Sequence, residues 1–210
     1  MHSASTPTST PERAARPKGP IRSVDLVTIA TLGVAFGVIF WGWGKLYGVA
    51  GTAGMLAYPP SGAIFGGGWL IAGIVGGLII RRPGAALATE VIAASVSGLM
   101  PGNEWGMSTL VSGLLQGLGA EIVLALFAYK VFGPVVAMLA GALAGAFESV
   151  YEWFAWYADW DLPYRLVHLG IFMVSGAVIA GLGGWLLVRA LARAGALDAF
   201  PAGRDAVTRH

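Results

Sequence analysis

Apolar residues fill this chain in six long blocks, each closed by a short cluster of proline, glycine or charge. The blocks are Val24–Trp43, Ser61–Ile80, Ala85–Met100, Met107–Tyr129, Pro134–Trp156 and Leu166–Ala190. A helix needs ~20 apolar residues to cross a hydrocarbon core of ~30 Å. Five blocks meet that length, and the third is shorter and carries Glu90. The breaks are chemically plain: Tyr58-Pro59-Pro60, Arg81-Arg82-Pro83-Gly84, Pro101-Gly102-Asn103-Glu104, Lys130 with Gly133-Pro134, and Asp159 to Pro163. Proline lacks an N–H and clashes with the preceding turn, so such clusters end helices. The pattern predicts an all-α integral membrane protein, a bundle of six transmembrane helices.

The ends of the blocks orient the bundle. With the N-terminus in the cytoplasm, Arg13, Arg16, Lys18, Arg22, Arg81, Arg82, Lys130, Arg189, Arg193, Arg204 and Arg209 fall inside, and Lys45 and Arg165 outside. Basic residues favour the cytoplasmic side, so the expected topology is N-in/C-in. The opposite ends carry an aromatic belt that includes Trp41, Trp43, Tyr47, Trp105, Trp153, Trp156, Tyr157, Trp160 and Tyr164. Residues 1–21 are rich in Ser, Thr, Pro and Arg and read as a disordered cytoplasmic tail. Residues 22–193 form the membrane domain, and 194–210 a second cytoplasmic tail. The first block is longer than the apolar core of a secretory signal and lacks a cleavage pattern, so it reads as a retained helix.

Composition narrows the chemistry. Of 210 residues, 56% are hydrophobic and 11% charged, against about 25% charged in soluble domains. The net charge of +2 is spread over loops and tails rather than one face, which gives no nucleic-acid surface. The absence of cysteine excludes thiolate metal sites, disulfides and Cys nucleophiles. His2, His168 and His210 are scattered, so no metal site is expected. H-E-x-x-H, G-x-S-x-G and Walker A patterns are absent; Gly42-Trp43-Gly44-Lys45 lacks the Walker spacing. No cofactor and no enzyme activity are expected, and any ATPase must be another chain.

Four carboxylates lie inside the apolar blocks: Glu90, Glu121, Glu148 and Glu152. A charge at bilayer depth costs from ~2.5 to more than ~10 kcal/mol, so it faces a partner, the bundle interior or a wet cavity. Glu90 and Glu121 fall near the middle of antiparallel blocks, at similar heights. Gln116 lies one to two turns nearer the outer face, and Trp69 near the middle of the second block. Glu148 and Glu152, four apart, share one helix face. Carboxylates, an amide and aromatic rings around one cavity suit a flat organic cation. The alternatives are carboxylates bonded to helix backbones as structural glue, and side chains reaching the interface. Glycines at four-residue spacing, as at Gly33/Gly37, allow close helix approach. That face, with Ala30, either packs inside the bundle or docks a partner membrane protein.

Three stretches resemble one family: R-R-P-G-A-A-L-A-T-E-V-I-A-A at Arg81–Ala94, P-G-N-E-W-G at Pro101–Gly106 and Q-G-L-G-A-E-I-V-L-A-L-F at Gln116–Phe127. These are similar to the YkoE family, substrate-binding S components of energy-coupling-factor (ECF) transporters for thiamine or hydroxymethylpyrimidine. The resemblance covers about residues 22–195. It implies a six-helix S component of the bacterial plasma membrane. Such a protein captures a thiamine-type ligand from outside and works with a transmembrane coupling subunit and two cytoplasmic ATPases. By motif match it carries over Glu90, Gln116 and Glu121 as ligand residues, and, through a lesser match, Y-E-W-F at Tyr151–Phe154, Glu152. It also favours Ala30, Gly33 and Gly37 as the docking face. Ser97 stands where some relatives are expected to have an acid, and Glu148 reads as an additional acid. Trp105 and Tyr58, near the outer mouth, are expected to stack on a ring, under loops at Met55–Pro60 and Gly102–Trp105. The rival readings are a proton-coupled secondary transporter of a small organic cation, a membrane enzyme using a Glu pair, and a scaffold subunit.

Overall fold

The computed structural model describes residues 21–207. The readings on residues 1–20, including Arg13, Arg16 and Lys18, lie outside the described residues, as does Arg209. The elements are α1 (Ser23–Thr52), a three-ten helix (Pro59–Trp69), α2 (Ile71–Ile80), α3 (Ala85–Leu99), α4 (Ser108–Leu126), α5 (Pro134–Ala155) and α6 (Leu162–Ser175). A π-helical segment (Gly176–Gly183), α7 (Gly184–Arg193) and α8 (Pro201–Val207) follow. Spans Ser23–Thr52, Pro59–Ile80, Ser108–Leu126, Pro134–Ala155 and Leu162–Arg193 are long and apolar enough to cross a membrane, and α3 is a shorter apolar helix. The chain is a multi-pass, all-helical membrane protein.

The second span departs from the expected regular helix. Three-ten turns rarely run beyond a few residues, yet here they continue from Pro59 to Trp69. Glycines at 66, 67 and 68 permit the close approach that holds them. A Cβ on any of these would overlap Phe172, the Ser175 backbone or the Trp43 ring. Ser175 fastens the coil by donating to the Ile64 carbonyl at 2.6 Å and accepting from the Gly67 N–H at 2.9 Å. The coil reverts to α-helix at Ile71, and Trp69 stands at that junction.

α2 is the central rod: every residue from Ala72 to Ile80 is buried. α3 packs beside it, between α1 and α4, and α4 leads on to α5. α5 meets the π-helical segment closely at Gly141 and Gly176, where a Cβ on either would overlap the other's backbone. Gly33 and Gly37 settle one open question. Both are buried, and a Cβ on either would lie about 2.5 Å from Ile92 or Val96 of α3. They are internal packing positions, not a free docking face; Ala30 alone of the three is exposed.

At the basic end, the first turn of α1 places Asp25 fully out of solvent between two guanidiniums. Arg22 Nη2 lies 2.8 Å from one oxygen and Arg82 Nε 3.0 Å from the other. This pairing ties α1 to the turn between α2 and α3. The stretch after Arg193, read as tail, folds back: Leu197, Phe200 and Ala202 are buried, and α8 packs on α7 and α2.

Candidate ligand-binding site

A cavity of about 290 Å³ lies at the aromatic-rich end of the bundle. That is close to the lower edge of the ~300–1,000 Å³ range of small-molecule sites, enough for one compact ligand. Its two walls differ in chemistry.

The polar wall comes from α4 and α5. Ser108, Ser112 and Gln116 are four residues apart, so one stripe of α4 faces the cavity. Glu148 and Glu152 form the matching pair on α5. The Ser112 hydroxyl donates to Glu148 Oε1 at 2.6 Å, and the Gln116 amide is a neighbour of the same carboxylate. Glu148 Oε2 is buried and has no hydrogen-bond partner. A buried acceptor without a donor costs roughly 1–3 kcal/mol; Glu90 Oε1, outside the cavity lining, is partnerless as well. Glu152 Oε2 lies 3.2 Å from His168 Nε2. No lysine or arginine is among the described residues that line the cavity.

The opposite wall is aromatic. Tyr47 of α1, Trp69 and Trp105 form a three-ring cluster with centroid separations of 5.7, 5.4 and 6.0 Å. The Trp69 N–H donates to the Phe40 carbonyl at 3.2 Å, which fixes its ring. Trp105 is held by its loop. Asn103 Oδ1 accepts from the Trp105 and Gly106 N–H groups, and Asn103 Nδ2 donates to the Ser97 carbonyl. Trp156 and Tyr157, just beyond α5, and Phe172 of α6 complete the lining. Burial, and then the Glu152 carboxylate, push the Tyr157 phenol above its ordinary range, so it remains a neutral hydroxyl.

Of the residues expected at the site, Gln116, Glu152, Trp69 and Trp105 line this cavity, and Glu90, Glu121 and Tyr58 do not. Glu121 instead caps α3. Its carboxylate accepts from the N–H groups of Gly84 (2.6 Å), Ala86 (3.0 Å) and Leu87 (3.2 Å) and from the Tyr129 hydroxyl (2.6 Å). The first N–H groups of a helix have no intrahelical partner, and α3 begins beside Glu121. Glu90 is buried behind the cavity and accepts from the Gly73 N–H at 2.6 Å, near the start of α2. Tyr58 is exposed, with its ring 5.9 Å from that of Tyr164. Glu148, read as an additional acid, is part of the wall; its i,i+4 spacing from Glu152 was the signal for it. Ser97, noted as a departure, also lines the cavity.

Two flanking carboxylates and an amide facing a ring cluster can neutralise and orient a flat cation that carries hydrogen-bond donors.

Residues 24–147 match the family described as ABC-type cobalt transport system, permease component. The chain is 35% identical over 185 residues to YkoE of Bacillus subtilis (strain 168), a protein named as an HMP/thiamine permease; the match spans 86% of this chain and 89% of that one. It also superposes on the crystal structure of an S-component of an ECF transporter with a TM-score of 0.80. That alignment has 33% identity and covers 90% of this chain and 95% of the other.

Proposed function

This chain belongs to the YkoE family of ECF-transporter S components, and on that premise we propose how its cavity captures a ligand. The protein is the substrate-binding S component for thiamine-type uptake and works with ECF partner subunits. The observation that carries the site assignment is the pairing of Glu148 and Glu152 with the Tyr47–Trp69–Trp105 cluster across one small cavity. Glu148, Gln116 and Ser112 form the inner, hydrogen-bonding end. That end suits the amino group and ring nitrogens of a pyrimidine, and the partnerless Glu148 oxygen takes the amino donor. Glu152 lies nearer the end of α5, among Tyr157, Trp156 and Tyr47. That end suits a positively charged ring, held by one carboxylate and by aromatic faces. Thiamine has both features, and hydroxymethylpyrimidine has only the first.

The finer topology belongs to the same reading. Six membrane crossings, with α3 as the short third and both termini in the cytoplasm, put the cavity on the outer side and the Asp25–Arg82 pair on the inner side. One transmembrane coupling subunit and two ATPases would supply the energy, since the described chain has no nucleotide motif. The exposed side of α1, including Ala30, remains for the coupling subunit; Gly33 and Gly37 are occupied by α3.

The test is thermal unfolding of the detergent-purified chain with thiamine, hydroxymethylpyrimidine and unrelated vitamins. A ligand at 100 times its Kd stabilises the folded state by about 2.7 kcal/mol. Thiamine should raise the midpoint and unrelated anionic vitamins should not. No shift with either thiamine-type compound would remove the reading.

A further inference from the structure

His168 lies behind the cavity wall, 1% exposed and not among the lining residues. Buried polar groups in a membrane span need partners, and both of its ring nitrogens have one. Nε2 is 3.2 Å from Glu152 Oε2, and Nδ1 is 2.8 Å from the hydroxyl of Ser149. Ser149 is itself fully buried and sits three residues before Glu152, so α5 presents both to the same ring. Tyr157, Trp160 and Phe172 enclose the imidazole at centroid distances of 5.3, 5.4 and 5.3 Å. The ring therefore has little freedom to turn.

The proton assignment follows from the partners. Where Glu152 is ionised it only accepts, and Nε2 carries the hydrogen. In a neutral ring Nδ1 then takes the hydroxyl hydrogen of Ser149. One oxygen of Glu152 is thereby held from behind, and the other is left for the cavity. Second-layer donors of this kind fix the aim of a carboxylate without touching the ligand.

We propose that His168, fixed by Ser149, is a positioning residue that aims Glu152 at the cationic ring of the ligand and so sets the preference for a charged over an uncharged compound. This rests on the ligand reading given above. His168 reaches no ligand atom; it acts through Glu152 alone.

The experiment titrates thiamine, and separately hydroxymethylpyrimidine, into the full detergent-purified chain. The proteins are wild type, His168→Phe, His168→Gln and Ser149→Ala. Phenylalanine keeps a flat ring in the enclosure and removes the donor. Loss of a hydrogen bond to a charged group predicts about 10- to 100-fold weaker thiamine binding in His168→Phe. Hydroxymethylpyrimidine, which lacks the cationic ring, should change by no more than about twofold. His168→Gln returns an N–H donor and should recover most of the thiamine affinity. Ser149→Ala frees the tautomer and should weaken thiamine selectively, by less than His168→Phe. Equal weakening of both ligands, or no change in either, overturns the proposal. If His168→Phe does not fold, Ser149→Ala decides by the same ratio. Wild-type protein that binds neither compound overturns the ligand reading and this proposal with it. Wild-type binding without a selective loss overturns this proposal alone.

Discussion

Replacing Glu121 by glutamine separates a structural carboxylate from a ligand-binding one. Each Glu121 oxygen accepts two bonds: Oε1 from Gly84 N–H and Tyr129 O–H, and Oε2 from Ala86 and Leu87 N–H. A glutamine amide keeps one acceptor and turns the other into a donor. If its NH₂ faces Ala86 and Leu87, two helix-start N–H groups lose their partner. If it faces the other side, the Tyr129 hydroxyl can reverse and accept, but Gly84 N–H is still orphaned. One such orphan costs roughly 1–3 kcal/mol. Losing negative charge at the start of a helix adds about 0.3–1 kcal/mol. The expected destabilisation is therefore roughly 2–3 kcal/mol. Thermal unfolding of the ligand-free protein should show a midpoint several degrees lower. Titration of the folded fraction should show thiamine affinity unchanged, because Glu121 does not line the cavity. Normal ligand-free stability together with lost thiamine binding would refute this reasoning and return Glu121 to the site.

Gly37→Leu should destabilise the isolated protein by about 1–3 kcal/mol through overpacking, since a Cβ there meets Val96 at 2.5 Å and the Ala93 carbonyl at 2.8 Å. Ala30→Leu, on the exposed side of α1, should leave the unfolding midpoint where it is; equal midpoints for both variants would contradict the α1–α3 packing. Trp105→Ala should weaken thiamine binding by about 0.5–2 kcal/mol and reduce the change in tryptophan fluorescence on binding, with an unaltered titration as the contrary result. Asp25→Ala removes the buried carboxylate between Arg22 and Arg82 and should lower the unfolding midpoint without moving the thiamine Kd.

The helical blocks were legible because apolar length is read residue by residue, and proline–glycine clusters end helices locally. What pattern alone missed depends on partners distant in sequence. The three-ten coil at Pro59–Trp69 exists because Ser175, more than a hundred positions later, bonds its backbone. The pattern puts Glu90 and Glu121 at similar heights near the middle of the bundle, but Glu121 lies at the turn that starts α3. Both Glu121 oxygens meet N–H groups at the start of α3, and one Glu90 oxygen meets that of Gly73 in α2; no spacing rule places those helix starts beside them. Glu148 reads as additional to the family positions, yet its i,i+4 relation to Glu152 and the matching Ser112–Gln116 stripe on α4 are both present in the chain. The Gly33/Gly37 pattern correctly signalled close helix contact and left the identity of the neighbour open. His168 gave no sequence signal, since its ring meets Ser149 and Glu152 of α5 only when α6 packs against that helix.

The most direct measurement is the Kd of thiamine for Glu148→Gln and Glu152→Gln, each checked for an unchanged fold by its elution as a single species. Each substitution keeps the shape of the side chain and removes its negative charge. The account predicts about 10-fold or greater weakening in each, from loss of a charge-assisted bond, and a larger loss in the double variant. Wild-type affinity in both, with binding abolished instead by Glu90→Gln, would contradict it.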